Sequence, residues 1–158
     1  KVNPPLRTKA DVAALRAGLA DGTVDAIVTD HAPHATYEKD REFELAPFGM
    51  TGIETSLGLM LTHMVGEGVI GLNRLVELMA VNPRTILRDE RVAIEPGSIA
   101  DLTVIDPDVE WTVAKDDFCS KAQNTPFVGW NLRGRATDVF VGGYATMEDG
   151  VVCSTVKK

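Results

Sequence analysis

Asp30-His31-Ala32-Pro33-His34 gathers one carboxylate and two of the chain's three imidazoles into a short run. Carboxylate and imidazole are the groups that ligate zinc and move protons near neutral pH. Pro33 keeps the run from continuing as a helix that would spread these side chains around its circumference. Asp30 also has a plainer use, because Asp is common in turns for its own hydrogen-bonding reasons. The adjoining histidines favour a catalytic or ligand role for Asp30, and the same role stays open for His34. His31 reads as a hydrogen-bonded partner that orients the loop.

The element that must deliver this group is Val24-Asp25-Ala26-Ile27-Val28-Thr29, an apolar run too short for a helix and rich in β-branched residues. It is expected to be a buried strand ending at Asp30, and in an α/β barrel the reactive side chains sit at the carboxyl ends of strands. Upstream, Pro4-Pro5 fixes an extended entry. Thr8, with Asp11 three positions on, opens a helix carrying Val12, Leu15 and Leu19, which Asp21-Gly22 stops. Helix followed by buried strand is the alternation of an α/β architecture.

Residues 32–52 carry no periodic pattern, and a loop of that length suggests a lid over the strand end. The mixed charges around Glu38, Lys39, Asp40, Arg41, Glu42 and Glu44 read as a wet loop face. Thr51-Gly52-Ile53-Glu54 has the spacing of a capping box, and Ile53, Leu57, Met60, Leu61 and Met64 form one helical stripe. His63 falls off that stripe and reads as solvated. Leu72, Leu75, Val76 and Met79 mark another helix, after which Asn82-Pro83 is expected to cap a turn running to Leu87. Beyond that the texture changes to short β-type runs over 101–105, 111–113, 136–141, 144–147 and 151–152. Gly142-Gly143 and Asp149-Gly150 sit between runs as tight-turn signals. A boundary near residues 88–97 divides an α/β part, 1–90, from a mostly β part, 91–158.

The 158 residues are 44% hydrophobic and 25% charged, a balance normal for a globular protein. A net charge of -7 without a Lys/Arg cluster excludes a nucleic-acid surface. Cys119 and Cys153 lack metal or redox spacing and are expected to be free, buried thiols. No leader or long apolar run marks secretion or a membrane span, so the expected location is cytoplasmic. The chain opens on Lys1 rather than Met and enters structure directly, which suggests the interior of a longer protein. No phosphate-binding glycine loop and no Ser or Cys triad stands out.

Four stretches carry a more specific message: Asn3-Pro4-Pro5-Leu6-Arg7, Asp30-His31-Ala32-Pro33-His34, Ala46-Pro47-Phe48-Gly49 and Ser120-Lys121-Ala122-Gln123-Asn124-Thr125-Pro126-Phe127. With Gly97-Ser98-Ile99-Ala100-Asp101-Leu102, they resemble the C-terminal part of the bacterial-type dihydroorotases of the amidohydrolase superfamily, across essentially the whole chain. The resemblance implies residues 1–90 as the end of a metal-dependent (β/α)8 barrel and 91–158 as strands of a small β-sandwich. It implies one or two zinc ions and reversible hydrolysis of L-dihydroorotate to N-carbamoyl-L-aspartate in pyrimidine synthesis. Asp30 would contact metal and act as the acid/base, Asn3 and His34 would contact substrate, and Phe48 and Gly49 would line the site through backbone groups. The family's other metal ligands precede the position of Asn3, so activity is expected only together with an N-terminal portion of the same enzyme. A homo-oligomer, and aspartate transcarbamoylase as a neighbour, are further partners of the kind the resemblance implies. Two rivals share part of this pattern: a hydantoinase- or allantoinase-type cyclic amidase, and a non-catalytic dihydroorotase-like structural subunit, against which the intact Asp30 and His34 weigh.

Overall fold

Thr8 starts the first helix in the way its spacing predicts. Its Oγ1 accepts from the Asp11 amide while the Asp11 carboxylate accepts from the Thr8 amide. The result is α1 (Lys9–Asp21), closed by Gly22 at φ 89. The computed structural model describes residues 1–89 and 93–153, so the expected boundary between 90 and 91 lies outside the described residues. Only one side of α1 is covered. Leu19 joins the core and Gly18 packs against Val24, whereas Val12 and Leu15 are exposed.

The expected buried strand at 24–29 is not formed. The segment is extended but belongs to no ladder, and Val28 is 80% exposed. A strand exists only where a neighbour lies at ladder distance, and among the described residues none runs beside this one. Its course is set instead by isolated bonds. The Ile27 amide donates to the Leu78 carbonyl, Asn82 Nδ2 donates to the Asp25 carbonyl, and Arg74 donates to the carbonyls of Leu19 and Val24. Asn82 therefore ties the segment down rather than capping the turn that follows it.

Two helical stretches build the core. After the single-turn α2 (Thr36–Lys39), α3 (Ile53–Met60) widens into a π-helical turn over Leu61–Val65. Next, α4 (Leu72–Val76) widens likewise over Glu77–Val81 and runs into α5 (Asn82–Leu87). Leu61, Ile70, Leu75 and Leu78 are buried together, with Leu57, Met60, Met64 and Ile27 packed around them. The α3 stripe faces inward as its period demands, except at its first member, since Ile53 is exposed.

An antiparallel meander follows: β1 (Leu102–Thr112), β2 (Asn131–Val141), β3 (Tyr144–Glu148) and β4 (Val151–Val152), in that spatial order. The expected runs at 101–105 and 111–113 are one strand, interrupted by register shifts between Val104 and Glu110. Gly142 and Gly143, at φ 58 and 82, make the hairpin between β2 and β3. The sheet closes onto α3. A Cβ on Gly134 would strike Leu61, one on Gly58 would lie 2.8 Å from Trp111, and the Arg133 amide donates to Thr62 Oγ1 at 2.7 Å. Among the described residues there is one sheet, with neither a closed barrel nor a second sandwich layer. No helix among them is long and apolar enough to cross a membrane.

Leu78, at 0% exposure, is the centre of this packing. Leu78→Ala is expected to cost about 2–5 kcal/mol in denaturant unfolding of the full-length protein. Ile53→Ala, at an exposed position, is expected to cost no more than about 0.5 kcal/mol in the same measurement.

Candidate active site

The site is organised by a side chain that the capping-box spacing did not foresee. Gly52 is the N-cap residue of α3 and has no side chain to offer, so the helix's first donors need another acceptor. His31 supplies it: Nδ1 accepts from the amides of Gly52 at 3.1 Å and Ile53 at 3.3 Å. A ring nitrogen that accepts two amide protons carries none of its own, which places the proton on Nε2. That atom faces Ser120 Oγ at 3.4 Å. His31 thus orients the loop, as its position suggested, and cannot take a proton from Ser120 through Nε2.

Glu54, the other half of the expected capping box, is drawn away to the same loop. Its Oε1 accepts from the Ser120 amide at 2.9 Å. Burial alone would raise the Glu54 pKa, but hydrogen bonds from the Ser120 side chain and amide outweigh it. The carboxyl is held below its ordinary 4.5.

A second network holds His34, Phe48 and Gly49. The His34 amide donates to Asn124 Oδ1 at 3.0 Å, and its Nε2 lies 2.9 Å from the Phe48 carbonyl. Asn124 Nδ2 donates to the carbonyls of Ala32 and Gly49, and the Asn124 carbonyl accepts from the Thr51 amide. Gly49 has φ 116 and lies so close to Ala32 that no Cβ would fit. Its amide donates to the Lys1 carbonyl at 2.9 Å, and the Lys1 ammonium sits 4.5 Å over the Phe48 ring. The 32–52 segment is consequently not a free lid. It is anchored at Ala32, Met50 and Thr51 and forms a wall. Nor is its charged run simply wet: Glu38 accepts from the Ala35 amide, and half-buried Lys39 reaches three backbone carbonyls.

Asp30 stands where the extended segment enters this wall. It is exposed, its backbone is left-handed at φ 43, and its carboxylate has no partner among the described residues. Few non-glycine residues adopt that conformation; Asp is among those that tolerate it. Asn3 is likewise exposed and unengaged. A cleft of about 610 Å³ opens beside the network, lined by His31, His34, Ser120 and Gln123 among others, but Asp30 is not part of its wall. The cleft alone therefore does not define the reacting position. His63 lies apart: Nδ1 meets Glu67 at 3.0 Å and the ring packs edge-on against Trp130, so it is partly covered rather than solvated. Cys119 and Cys153 are free, but neither is buried, and Cys119 is exposed.

For a metal, Asp30 offers a carboxylate with no competing internal partner, which suits a single ligand. No group of three His, Cys, Asp or Glu side chains among the described residues is arranged to hold an ion. Any metal contacted by Asp30 needs further ligands from elsewhere.

Residues 3–146 match the amidohydrolase family, and the chain belongs to it. Within that family it is similar to the dihydroorotase of Pelotomaculum thermopropionicum, 51% identical over 152 residues, which are 96% of this chain and 36% of that protein. It is 54% identical to the dihydroorotase of Geobacter metallireducens over 143 residues, 90% of this chain and 34% of that one. Among solved structures, an L-hydantoinase (dihydropyrimidinase) from Arthrobacter aurescens superposes with a TM-score of 0.90 at 32% identity, over 97% of this chain and 35% of its own. The chain spans about a third of the length of the relatives it matches. Its helices and antiparallel sheet are an α/β fragment of that fold.

Ser120, Asn124 and Lys39 help organise the site and were not singled out by spacing, and Glu54 was singled out only as half of a capping box it does not form. Ser120 and Asn124 lie inside a stretch conspicuous only through the family resemblance, and Lys39 was masked by the charges around it. Glu54 gives a pH signature. A carboxyl held below its ordinary value contributes stability fully above about pH 4.5, and that contribution fades as pH falls through the depressed folded value. Glu54→Gln should therefore lower the thermal midpoint of the full-length protein near pH 7, and the gap to wild type should narrow below about pH 4.

Proposed function

We propose that the chain is the C-terminal part of a dihydroorotase, which reversibly hydrolyses L-dihydroorotate to N-carbamoyl-L-aspartate. The observation that carries this reading is an Asp30 carboxylate left without an internal partner at the mouth of the His34–Phe48–Gly49 wall. The roughly half-identical dihydroorotases across nine-tenths of the chain supply its substrate. In this reading residues 1–90 complete a (β/α)8 barrel and 91–158 contribute to a β-sandwich, both finished by an N-terminal portion that brings the other metal ligands. A whole barrel of this kind takes about 250 residues.

Asp30 is the acid/base and one metal ligand. Zinc, when bound, would lower the pKa of a coordinated water and polarise the ring carbonyl. The Asp30 carboxylate takes the proton released as water adds to the ring amide. It then hands that proton to the ring nitrogen as the C–N bond breaks, and ring closure runs the same transfers backwards. Asn3 and His34 hold the substrate, whose carboxylate meets the Phe48–Gly49 turn. That turn leaves one backbone donor for it: the Phe48 carbonyl is engaged by His34, and Gly49 spends its amide on Lys1 and its carbonyl on Lys39 and Asn124. The Phe48 amide has no partner among the described residues.

The superposition on an L-hydantoinase favours a second reading, a cyclic amidase acting on hydantoin-like rings. Assay of the complete, metal-loaded enzyme on dihydroorotate, hydantoin and allantoin separates them. Turnover of dihydroorotate is expected, whereas hydantoin cleavage without it would replace the first reading by the second. Asp30→Asn, which keeps a side chain that tolerates the left-handed backbone, is expected to lower kcat by about a hundredfold or more with an unchanged circular dichroism spectrum. Wild-type turnover in that variant would remove Asp30 from the acid/base role.

A further inference from the structure

Lys39 sits at the end of α2, half-buried, with its ammonium turned onto main chain rather than onto any carboxylate. Nζ donates to the carbonyls of Pro47 and Gly49, both at 2.9 Å, and approaches the Lys1 carbonyl at 3.4 Å. An ammonium has three protons, and three carbonyls from two separate segments collect around it. These segments are the turn carrying Phe48 and Gly49 and the strand of chain that leads to Asn3. Both are the segments assigned above to substrate contact.

The direction of these bonds matters. The Pro47–Phe48 peptide is trans and planar, so its carbonyl and its amide N–H point in opposite directions. Fixing the Pro47 carbonyl on Lys39 aims the Phe48 N–H away from the ammonium. That N–H is the one unengaged backbone polar group of the Phe48–Gly49 pair. The following peptide is fixed from both sides, by His34 at its carbonyl and by the Lys1 carbonyl at its amide. Phe48 is thus set between two peptide planes held by charged or ring donors, and a charged donor makes a stronger bond than a neutral one.

We propose that Lys39 is a positioning residue for substrate binding: by holding the Pro47, Gly49 and Lys1 carbonyls, it aims the Phe48 amide at the substrate's carboxylate and ties the Asn3 segment to the same frame. This rests on the reading that the turn receives a carboxylate-bearing cyclic amide. Lys39 touches no reacting atom, so its loss acts on binding more than on chemistry.

The test is steady-state hydrolysis of L-dihydroorotate by the complete, metal-loaded enzyme. Lys39→Met is expected to raise KM about tenfold or more, the scale of a lost charged hydrogen bond, while kcat changes by less than about threefold. Lys39→Cys treated with 2-bromoethylamine regains an ammonium at nearly the original reach, and its KM is expected to return toward that of wild-type enzyme treated in the same way. Lys39→Gln keeps amide donors without charge, and its KM should exceed that of wild type; it also covers a methionine variant that does not fold. An unchanged KM in either uncharged variant overturns the proposal. So does a loss of kcat that aminoethylation fails to restore, because that pattern marks a merely structural lysine. Absence of dihydroorotate turnover in wild type would instead defeat the underlying reading, so the two failures are distinguishable.

Discussion

A neutral imidazole serving as the acceptor for a helix's first donors is the constraint on which the rest of this structure depends. The His31 Nδ1 bonds to Gly52 and Ile53 join the end of the extended segment to the start of α3, and its other face meets the Ser120 loop. A side-chain cap contributes about 0.5–2 kcal/mol to a helix, but this one comes from a residue distant in sequence. It therefore fixes tertiary placement as well as helix stability. Asp30 is held on one side by this anchor and on the other by the bonds from Leu78, Arg74 and Asn82 to residues 24–27. A left-handed backbone at a non-glycine residue persists only where its surroundings determine it, and here they do so from both directions.

The second network works by exhausting the polar groups of a turn until one is left. His34, Asn124, Lys1 and Lys39 occupy the carbonyls and the amide around Phe48 and Gly49. Donors and acceptors arranged this way need no reorganisation when a ligand arrives, which is where preorganised sites gain their advantage. Asn124 comes from the loop between β1 and β2, so the sheet region contributes directly to a wall built mainly by the helical region.

Local chemistry made much of this legible. Thr8 and Asp11 state a helix start, Gly142-Gly143 a hairpin, and Leu57, Leu61 and Met64 an inward stripe; each is a short-range signal that tertiary context did not override. Asp30, His34, Phe48 and Gly49 were recognisable through motif and resemblance, and the structure links the last three by hydrogen bonds. What could not be read were relations set by folding. Thr51 and Glu54 have the spacing of a cap, yet Thr51 is buried and Glu54 is claimed by Ser120, because a distant imidazole satisfies the helix. Val24 to Thr29 has strand composition, but composition cannot supply a neighbour. The charged run from Glu38 to Glu44 concealed a lysine whose partners are all carbonyls, and carbonyls leave no trace in a residue pattern.

The unladdered stretch over residues 24–29 is also a surface in its own right. The backbone groups that Gly18, Arg74, Leu78 and Asn82 leave open there, and the exposed Val28, lie on the same molecule as the uncovered Val12 and Leu15 of α1. An extended segment with open amides and carbonyls is a template for pairing with another chain, and neighbouring apolar surface makes such pairing adhesive. A strand laid along residues 24–29 would cover these open groups and the apolar side chains together.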